Sequence, residues 1–310
     1  MNIIFMGTPD FAVPCLERLL EKGHHITAVF SQPDKPKGRG YTLTPPPVKS
    51  CALARGIPVY QPESLKNGNA LEIIDSLIAD IIIVVAYGKI LPKEILTAKK
   101  YGCVNVHASL LPKYRGAAPI QWAVMNGESK TGVTIMQMDE GLDTGDMLLV
   151  RETDIGVNET AEELFSRLSV LGADALADAL YLLENDAVAP VKQDTQSSYF
   201  YARMIDKSLC EIDWRKSAFE IHNQIRALAS WPVAFTTCNG KKIKVHSSVL
   251  SERTGKNKGE VVDVADAITV CCGDQNCIEI TEVQLEGKKR MKAADFLRGN
   301  KIEKGIFLGG

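Results

Sequence analysis

Short apolar runs alternate with amphipathic stretches through the first half of the chain. The runs that predict strands are Asn2–Met6, Ile26–Phe30, Ile57–Tyr60, Asp80–Ala86, Cys103–Val106 and Val133–Met138. The stretches with helical spacing include Phe11–Glu21, Ala70–Ile78 and Ala118–Asn126. Apolar strands separated by helices are typical of a parallel sheet that is buried on both faces. We therefore predict an α/β fold with a Rossmann-like, mostly parallel sheet and helices on both faces. Thr8 or Asp10 is a candidate cap for the first helix.

The segment Gln32–Pro47 interrupts this alternation. It holds five prolines, two glycines and the basic residues Lys35, Lys37 and Arg39. Proline removes a backbone donor and fixes φ, so the segment cannot be a helix or a central strand. A loop of this length inside a compact domain is usually functional or disordered. A mobile surface loop without a function is the alternative.

The pattern changes after the long helical stretch Thr160–Leu183. The following segment contains Pro190 and a polar run, which is typical of a linker. Beyond it lie one helix, Ala218–Ala229, and then short β-rich runs separated by glycines. Such runs predict a small β-barrel similar to an oligonucleotide-binding fold. We expect a first domain over residues 1–183, a linker over 184–205 and an OB-like domain over 206–310.

Composition agrees with a globular protein, since 45% of the 310 residues are hydrophobic and 24% are charged. No apolar run approaches the roughly 20 residues that a membrane helix needs. The first residues lack the basic segment and the cleavage site of a signal peptide. We therefore expect a cytoplasmic protein.

Charge is distributed unevenly along the chain. The formal net charge is −2. Residues 200–310 carry 18 Lys and Arg against 14 Asp and Glu, whereas the remaining residues carry 18 against 24. A mildly basic C-terminal part is a weak indication of a polyanionic partner.

The eight cysteines are expected to be free thiols, because the cytoplasm is reducing. Cys271, Cys272 and Cys277 lie close together, but they lack the paired C-x-x-C spacing of a zinc site. A buried strand that contains small hydrophobic residues explains them better. We expect no metal.

Asn105 and His107 are the first candidate functional residues. They end an apolar strand two positions apart, so their side chains lie on the same side of it. The carboxyl ends of parallel strands are where open α/β sheets bind ligands. An amide beside an imidazole can stabilise a developing oxyanion. A polar pair at a strand end without a catalytic role is the alternative.

Two further segments carry polar chemistry. Met138–Asp146 holds four carboxylates and two glycines, but it does not match a calcium loop. It is either a solvated acidic turn or the source of an Asp that orients His107. Leu111–Pro119 is a basic, aromatic loop that leads into a helix and is able to shape a cleft. The chain has no G-x-G-x-x-G fingerprint and no phosphate-binding P-loop, which argues against a nucleotide cofactor. It also has no G-x-S-x-G nucleophile elbow.

The combination of these motifs resembles the folate-dependent formyltransferases. The motifs are Gly7-Thr8-Pro9 with Phe11-Ala12, Asn105-Val106-His107, Ser109-Leu110-Leu111-Pro112, Tyr114-Arg115-Gly116 and Gly141-Leu142-Asp143-Thr144-Gly145. The resemblance implies that Asn105, His107 and Asp143 are catalytic. It also implies that Ser109, Leu110, Leu111 and Pro112 contact the folate, with 10-formyltetrahydrofolate as the formyl donor.

Features outside these motifs are similar to the family members that formylate methionine on initiator tRNA. They are Gly38-Arg39-Gly40 in the proline-rich loop, Ile212-Asp213-Trp214, Arg226-Ala227-Leu228 and Trp231-Pro232. The resemblance implies that the loop, with Lys35, Lys37 and Arg39, engages the acceptor end of the tRNA. It also implies that the OB-like domain helps to hold the tRNA.

Three alternative functions remain at this point. The chain could formylate a small amine, such as glycinamide ribonucleotide or an amino-sugar nucleotide. It could be the hydrolase or dehydrogenase part of an enzyme that acts on formyl-folate. It could also be a non-catalytic RNA-binding protein, in which Asn105, His107 and Asp143 would have no task.

Overall fold

The computed structural model describes residues 1–37, 42–66, 68–194 and 200–309. In these ranges the strands are β1 (Asn2–Gly7), β2 (His25–Phe30), β3 (Lys35–Lys37), β4 (Thr42–Thr44), β5 (Val59–Tyr60), β6 (Ile81–Val85), β7 (Cys103–His107), β8 (Arg115–Gly116), β9 (Lys130–Gln137), β10 (Met147–Asp154), β11 (Tyr201–Ala202), β12 (Ala234–Cys238), β13 (Lys241–Thr254), β14 (Val261–Val264), β15 (Ile268–Cys271), β16 (Asn276–Leu285) and β17 (Met291–Lys292). The helices are α1 (Val13–Glu21), α2 (Pro47–Leu53), α3 (Asn69–Ser76), α4 (Lys93–Leu96), α5 (Pro119–Met125), α6 (Ala161–Glu184), α7 (Ala218–Ala227) and α8 (Ala293–Gly299). Short 3₁₀ turns cover Asp10–Ala12 and Lys207–Leu209.

The first sheet has the strand order β10-β9-β7-β6-β1-β2-β5 over the described residues. β7, β6, β1, β2 and β5 are parallel, and β9 pairs antiparallel with β7. All five residues of β6 are buried. A central strand with helices on both faces has no solvated side, which explains why its sequence is apolar throughout. The predicted α/β class and the mostly parallel sheet are confirmed.

The core on one face of this sheet contains alternate residues of β1 and β6, such as Ile4 and Ile82. α3 and α4 cover them through Ile74 and Ile95, which are fully buried. The residues that alternate with these in β1 and β6, such as Phe5 and Ile83, are equally buried. The strands that carry the candidate site are therefore packed on both faces.

The C-terminal sheet is antiparallel, with the order β12-β13-β16-β15-β14 and with β17 paired to β16. Its core joins α7, through Ile221 and Ile225, to the inward positions of the strands, such as Val245 and Ile280. β13 spans 14 residues with register shifts between Val245 and Ser248. Such irregularities bend a strand and increase its twist. The predicted small OB-like β-domain in the C-terminal part is confirmed as a domain built on an antiparallel sheet.

The chain divides into two compact units. The first comprises Met1–Gly116, Thr131–Thr153 and Phe165–Tyr201, and the second Ala117–Lys130, Asp154–Leu164 and Ala202–Gly310. The second unit therefore contains earlier segments of the chain as well as the C-terminal sheet. In that unit Ala118 packs with Ile205 and Leu228 in a small apolar cluster.

The segment Gln32–Pro47 holds no central strand over its described residues, as predicted, but β3 and β4 form an antiparallel pair of edge strands with Lys35 opposite Thr44. A two-stranded pair tolerates Pro36, since each strand has an unpaired edge. One local prediction was wrong, since neither Thr8 nor Asp10 caps a helix with its side chain. The Thr8 hydroxyl instead donates to the carbonyl of Tyr87 at 3.0 Å.

Candidate active site

The carboxyl edge of the parallel strands carries Asn105 and His107. Asn105 lies opposite Val84 of β6, and Gly7 at the end of β1 lies opposite Val85. A Cβ atom at Gly7 would lie 2.7 Å from the Phe5 ring and 3.2 Å from the Val85 carbonyl oxygen. Only glycine therefore lets the strand ends approach this closely. The site begins on a rigid floor made by three adjacent strands.

Asn105 and His107 differ in how their polar atoms are used. Asn105 is half-buried, and its side-chain amide makes no hydrogen bond to any described residue. His107 is 6% exposed, and both of its ring nitrogens face protein oxygens. A half-buried amide without a protein partner is available to a ligand. Asn105 is thus the more accessible donor of the pair.

The His107 ring is oriented by the backbone of the next loop. Its Nε2 atom lies 3.0 Å from the carbonyl oxygen of Tyr114. A carbonyl only accepts, so this geometry assigns the proton to Nε2. Nδ1 lies 3.8 Å from Oδ2 of Asp143, which is longer than a hydrogen bond. Nδ1 is therefore the ring nitrogen that remains open to a water or a ligand atom.

Asp143 is held in place by its own loop. Its φ angle is 52°, and its Oδ2 accepts a hydrogen bond from the Gly116 N–H at 2.8 Å. Asp139 closes the preceding turn, because its Oδ1 accepts from the Gly141 N–H at 3.0 Å and from the Thr144 hydroxyl at 2.6 Å. This loop presents Asp143 to His107, while the carboxylates of Asp139 and Glu140 have other partners. Glu140, for example, pairs with Lys93 at 2.9 Å.

The loop Ser109–Pro112 follows β7 directly. Ser109 is fully buried, and its hydroxyl donates to the carbonyl of Lys113 at 2.8 Å. Thr134 joins the loop to β9, since its hydroxyl donates to the Ser109 carbonyl at 2.7 Å and accepts from the Leu111 N–H at 3.2 Å. The Ser109 hydroxyl is consequently used within the loop. Leu110 and Pro112 are half-buried and keep apolar surface available.

The next segment contributes through its main chain. Tyr114 has φ 64° and is 4% exposed, and its N–H donates to the Phe200 carbonyl at 3.0 Å. This left-handed conformation turns the Tyr114 carbonyl towards His107 and the Gly116 N–H towards Asp143. Sequence reasoning missed these two contacts. Backbone groups have no residue-type signature, and only the Tyr114-Arg115-Gly116 motif pointed to the segment.

Gln193 is a second residue that sequence reasoning missed. It was placed in a polar linker, yet it is 7% exposed and hydrogen-bonds to the Asp143 loop and to Arg115. Nothing in its local sequence separates a buried glutamine from a solvated one.

The basic residues of the proline-rich segment are only partly described. Lys35 is exposed at the start of β3, and the backbone of Lys37 ends that strand. Arg39 lies outside the described residues. The base of the segment is anchored, because Lys49 Nζ lies 2.8 and 2.9 Å from the Asp34 carboxylate oxygens.

A cavity of about 820 Å³ lies near the start of β7, lined by residues that include Lys100, Tyr101 and Asp139. Asn105, His107 and Asp143 do not line it. The candidate site is therefore assigned from its polar groups and not from cavity size. Elsewhere in the described chain, no group of three or more His, Cys, Asp or Glu side chains is arranged to hold a metal ion. No helix in the described ranges is both long and apolar enough to span a membrane.

All eight cysteines are free and buried. Burial raises the pKa of Cys272 to about 12 and that of Cys277 to about 11. Thiols with such pKa values remain protonated near neutral pH and behave as small apolar groups.

Two family models match the chain. The model described as formyl transferase matches residues 1–180, and the model described as formyl transferase, C-terminal domain, matches residues 204–301. Full-length relatives include a methionyl-tRNA formyltransferase of Alkaliphilus oremlandii, which is 52% identical over 311 residues. The alignment covers 100% of this chain and 100% of that relative. A methionyl-tRNA formyltransferase of Clostridioides difficile is 49% identical over 311 residues, again with complete coverage of both chains.

Solved structures show the same architecture. An N-formyltransferase from Helicobacter canadensis, in complex with folinic acid and dTDP-3-aminofucose, has a TM-score of 0.69 and 26% identity, covering 90% of this chain and 98% of that chain. A sugar 3N-formyl transferase, solved with dTDP and 5-N-formyl-THF, also has a TM-score of 0.69. It is 24% identical and covers 93% of this chain and 99% of that chain, which shows a shared fold.

Proposed function

The chain belongs to the formyl transferase family, and from that premise we propose that it transfers a formyl group from 10-formyltetrahydrofolate to the free amino group of methionine on initiator methionyl-tRNA. The observation that carries the substrate assignment is the 52% identity to a methionyl-tRNA formyltransferase over the whole of both chains. The product would serve translation initiation in the cytoplasm.

The residues at the carboxyl edge fit a formyl donor. When bound, 10-formyltetrahydrofolate supplies an activated formyl carbon and a nitrogen leaving group. Asn105 provides an amide donor that no described residue uses, and the Nδ1 side of His107 faces Asp143 across 3.8 Å. The Asn105 amide can donate to a carbonyl oxygen that gains negative charge, and the unprotonated Nδ1 of His107 can accept the proton that an attacking amine releases.

We assign the roles as follows. Asn105 donates a hydrogen bond to the formyl oxygen as negative charge develops there. His107 accepts the proton that the attacking amine releases, through Nδ1, and is held in orientation by the Tyr114 carbonyl. Asp143 faces Nδ1 of His107 and relays the proton, through water, towards the departing folate nitrogen. The amine is formylated and the folate nitrogen regains a proton, so the transfer is balanced without a metal.

The folate contacts are assigned to the loop Ser109–Pro112. Leu110 and Pro112 offer apolar surface next to β7, whereas Ser109 and the buried Leu111 shape the loop from within. Leu110 packs closely on β9, since a Cβ atom at Gly132 would lie 2.6 Å from its Cδ2. This close packing fixes the wall against which the folate would lie.

The tRNA contacts are assigned to the proline-rich segment and to the C-terminal part of the chain. Lys35 is exposed, and Lys37 and Arg39 continue the basic series along the sequence. We propose a catalytic domain over 1–183, a linker over 184–205 and a tRNA-holding domain over 206–310. The basic excess of residues 200–310 supports this division.

A second candidate function is formylation of an amino-sugar nucleotide. It is favoured by the structural likeness to the Helicobacter canadensis N-formyltransferase, whose structure contains dTDP-3-aminofucose. The identity to that protein is 26%, against 52% to the tRNA-specific relative, so the tRNA substrate is preferred.

The test is a transfer assay with formyl-labelled 10-formyltetrahydrofolate and three acceptors. The acceptors are initiator methionyl-tRNA, the same tRNA with its amine acetylated, and dTDP-3-aminofucose. We expect label on methionyl-tRNA and none on the acetylated tRNA. Transfer to the sugar nucleotide without transfer to methionyl-tRNA would reject the proposal in favour of the second function.

A further inference from the structure

The Gln193 side chain connects two segments of the candidate site. Its Nε2 donates to the carbonyl oxygens of Asp143 and Gly145, at 2.9 and 2.8 Å. Its Oε1 accepts from Nε and Nη2 of Arg115, at 3.0 and 2.6 Å. Gln193 and Arg115 are 7% and 5% exposed. One buried amide therefore uses both of its donor hydrogens and its acceptor oxygen on the site.

The two segments are the ones that orient His107 and Asp143. Arg115 lies between Tyr114, whose carbonyl contacts the His107 ring, and Gly116, whose N–H holds the Asp143 carboxylate. Asp143 itself has φ 52°, a conformation that residues other than glycine rarely adopt without external support. Gln193 supplies that support by donating hydrogen bonds to the carbonyls of Asp143 and Gly145, the two neighbours of Thr144.

Backbone pairing holds the segment that contains Gln193 in place. Val191 and Met147 exchange both backbone hydrogen bonds, each at 2.8 Å, at the start of β10. This pairing fixes the segment that carries Gln193 beside the end of the Asp143 loop. Because the neighbouring backbone is paired with β10, the Gln193 side chain restricts the movement of the Asp143 loop and of Arg115, to which it is hydrogen-bonded.

We propose that Gln193, acting with Arg115, is a positioning residue that sets the distance and orientation of Asp143 towards His107. Gln193 touches neither reacting group through its side chain; it acts through the main chain of the Asp143 loop. The kinetic test of this inference rests on the proposed function. The inference adds to the proposed catalytic residues Asn105, His107 and Asp143 a residue that lies outside the family motifs.

The informative variant is Gln193→Glu. A carboxylate still accepts the fork of Arg115, but it has no hydrogen to donate to the Asp143 and Gly145 carbonyls. We expect kcat to fall about 10- to 100-fold, as misplacement of a catalytic group does, while the KM for the folate stays nearly unchanged. Gln193→Met removes the acceptor as well and should also lose thermal stability.

A double-mutant cycle separates positioning from stabilisation. If Gln193 acts through the Asp143 carboxylate, Gln193→Glu should lower kcat little further in an Asp143→Asn background. The pH profile of kcat should also change in Gln193→Glu as it does in Asp143→Asn. The proposal would be overturned if the kcat losses of Gln193→Glu and Asp143→Asn multiplied in the double variant. It would also be overturned if the pH profile of kcat in Gln193→Glu were the same as in the wild-type protein.

Gln224 provides a matched control. It is also buried, and its Nε2 donates to two carbonyls, those of Leu209 and Glu211, at 2.8 and 2.9 Å. Gln224→Met should lower the melting temperature and leave kcat at saturating substrates near the wild-type value. An equal fall of kcat in Gln224→Met and Gln193→Met would make both effects structural and would overturn the proposal.

An NMR measurement distinguishes failure of this inference from failure of the proposed function. A wild-type protein that transfers no formyl group to methionyl-tRNA contradicts the function alone. The ring signals of His107 should still shift in Gln193→Glu in the direction seen for Asp143→Asn, and should stay in place in Gln224→Met. Unmoved His107 signals in Gln193→Glu would reject the positioning role, whatever the activity.

Discussion

Nδ1 of His107 lies 3.8 Å from Oδ2 of Asp143, a separation that brings the groups together without a direct hydrogen bond. The Asp143 oxygen already accepts from the Gly116 N–H at 2.8 Å, and the His107 Nε2 is engaged by the Tyr114 carbonyl. The backbone therefore holds each side chain independently. The gap between them is the place where a proton can pass through a water or a ligand atom.

Removal of either side chain should disable turnover and leave the fold intact. His107→Ala and Asp143→Ala are each expected to lower kcat about 10²-fold or more, because proton transfer typically contributes that much. Steady-state kinetics on methionyl-tRNA would measure the effect. Glu140→Ala is the matched control, since Glu140 is an exposed carboxylate of the same loop that pairs with Lys93. Near-normal turnover in either site variant would remove that residue from the mechanism.

Asn105 should affect catalysis more than stability. Its amide makes no hydrogen bond to a described residue, so Asn105→Ala breaks no side-chain hydrogen bond of the described fold. We expect kcat to fall about 10²- to 10³-fold, the usual loss for one oxyanion donor, with little change in the melting temperature. Kinetics and thermal unfolding of the same preparation test both halves. A destabilised variant with wild-type kcat would make Asn105 a structural amide.

Arg39 should matter for the tRNA and not for the folate. It lies between Gly38 and Gly40, and its planar guanidinium can bind a phosphate with two hydrogen bonds. Arg39→Ala is expected to lower kcat/KM for methionyl-tRNA strongly and to leave folate affinity, measured by fluorescence, nearly unchanged. The tRNA affinity of the variant should also depend less steeply on salt. Wild-type efficiency on tRNA would show that this segment is ordinary surface.

His222 should make stability depend on pH. It is 1% exposed, donating from Nε2 to the Val157 carbonyl and accepting at Nδ1 from the Ser248 hydroxyl, each at 3.0 Å. Burial, reinforced by the Arg226 guanidinium, lowers its pKa below the ordinary value near 6.5. The unfolded chain then takes up a proton before the folded one does. The stabilising contribution is complete above about pH 6.5 and is lost as the pH falls towards the lowered pKa.

The free energy of unfolding, measured in denaturant at pH 7.5, 6.5 and 5.5, tests this link. One proton limits the change to about 1.4 kcal/mol per pH unit. His222→Gln keeps a donor for Val157 and cannot titrate, so its stability should fall less over this range. His25→Gln is the control, because His25 is exposed. Parallel curves for His222→Gln and the wild-type protein would contradict the assignment.

The strand pattern and the candidate pair Asn105 and His107 could be predicted from the sequence. Period-two alternation places both side chains on one side of β7, and a fully apolar run such as Ile81–Val85 needs two covered faces. These are local properties, and one-dimensional patterns record them. The antiparallel direction of β9 could not be predicted, because a buried strand is apolar in either direction.

The meeting of His107 with Asp143 was implied only by the family resemblance, and its geometry is a property of the tertiary structure. The Tyr114 carbonyl, the Gly116 N–H and the Gln193 amide set that geometry, and none of them carries a pattern in its neighbourhood. Backbone groups are the same in every residue, and a glutamine in a polar run is recognisable as buried only when its partners surround it. The sequence thus determined which side chains could perform the chemistry. Long-range hydrogen bonds decided where those side chains lie, because a buried polar group is stabilised only by partners that folding brings to it.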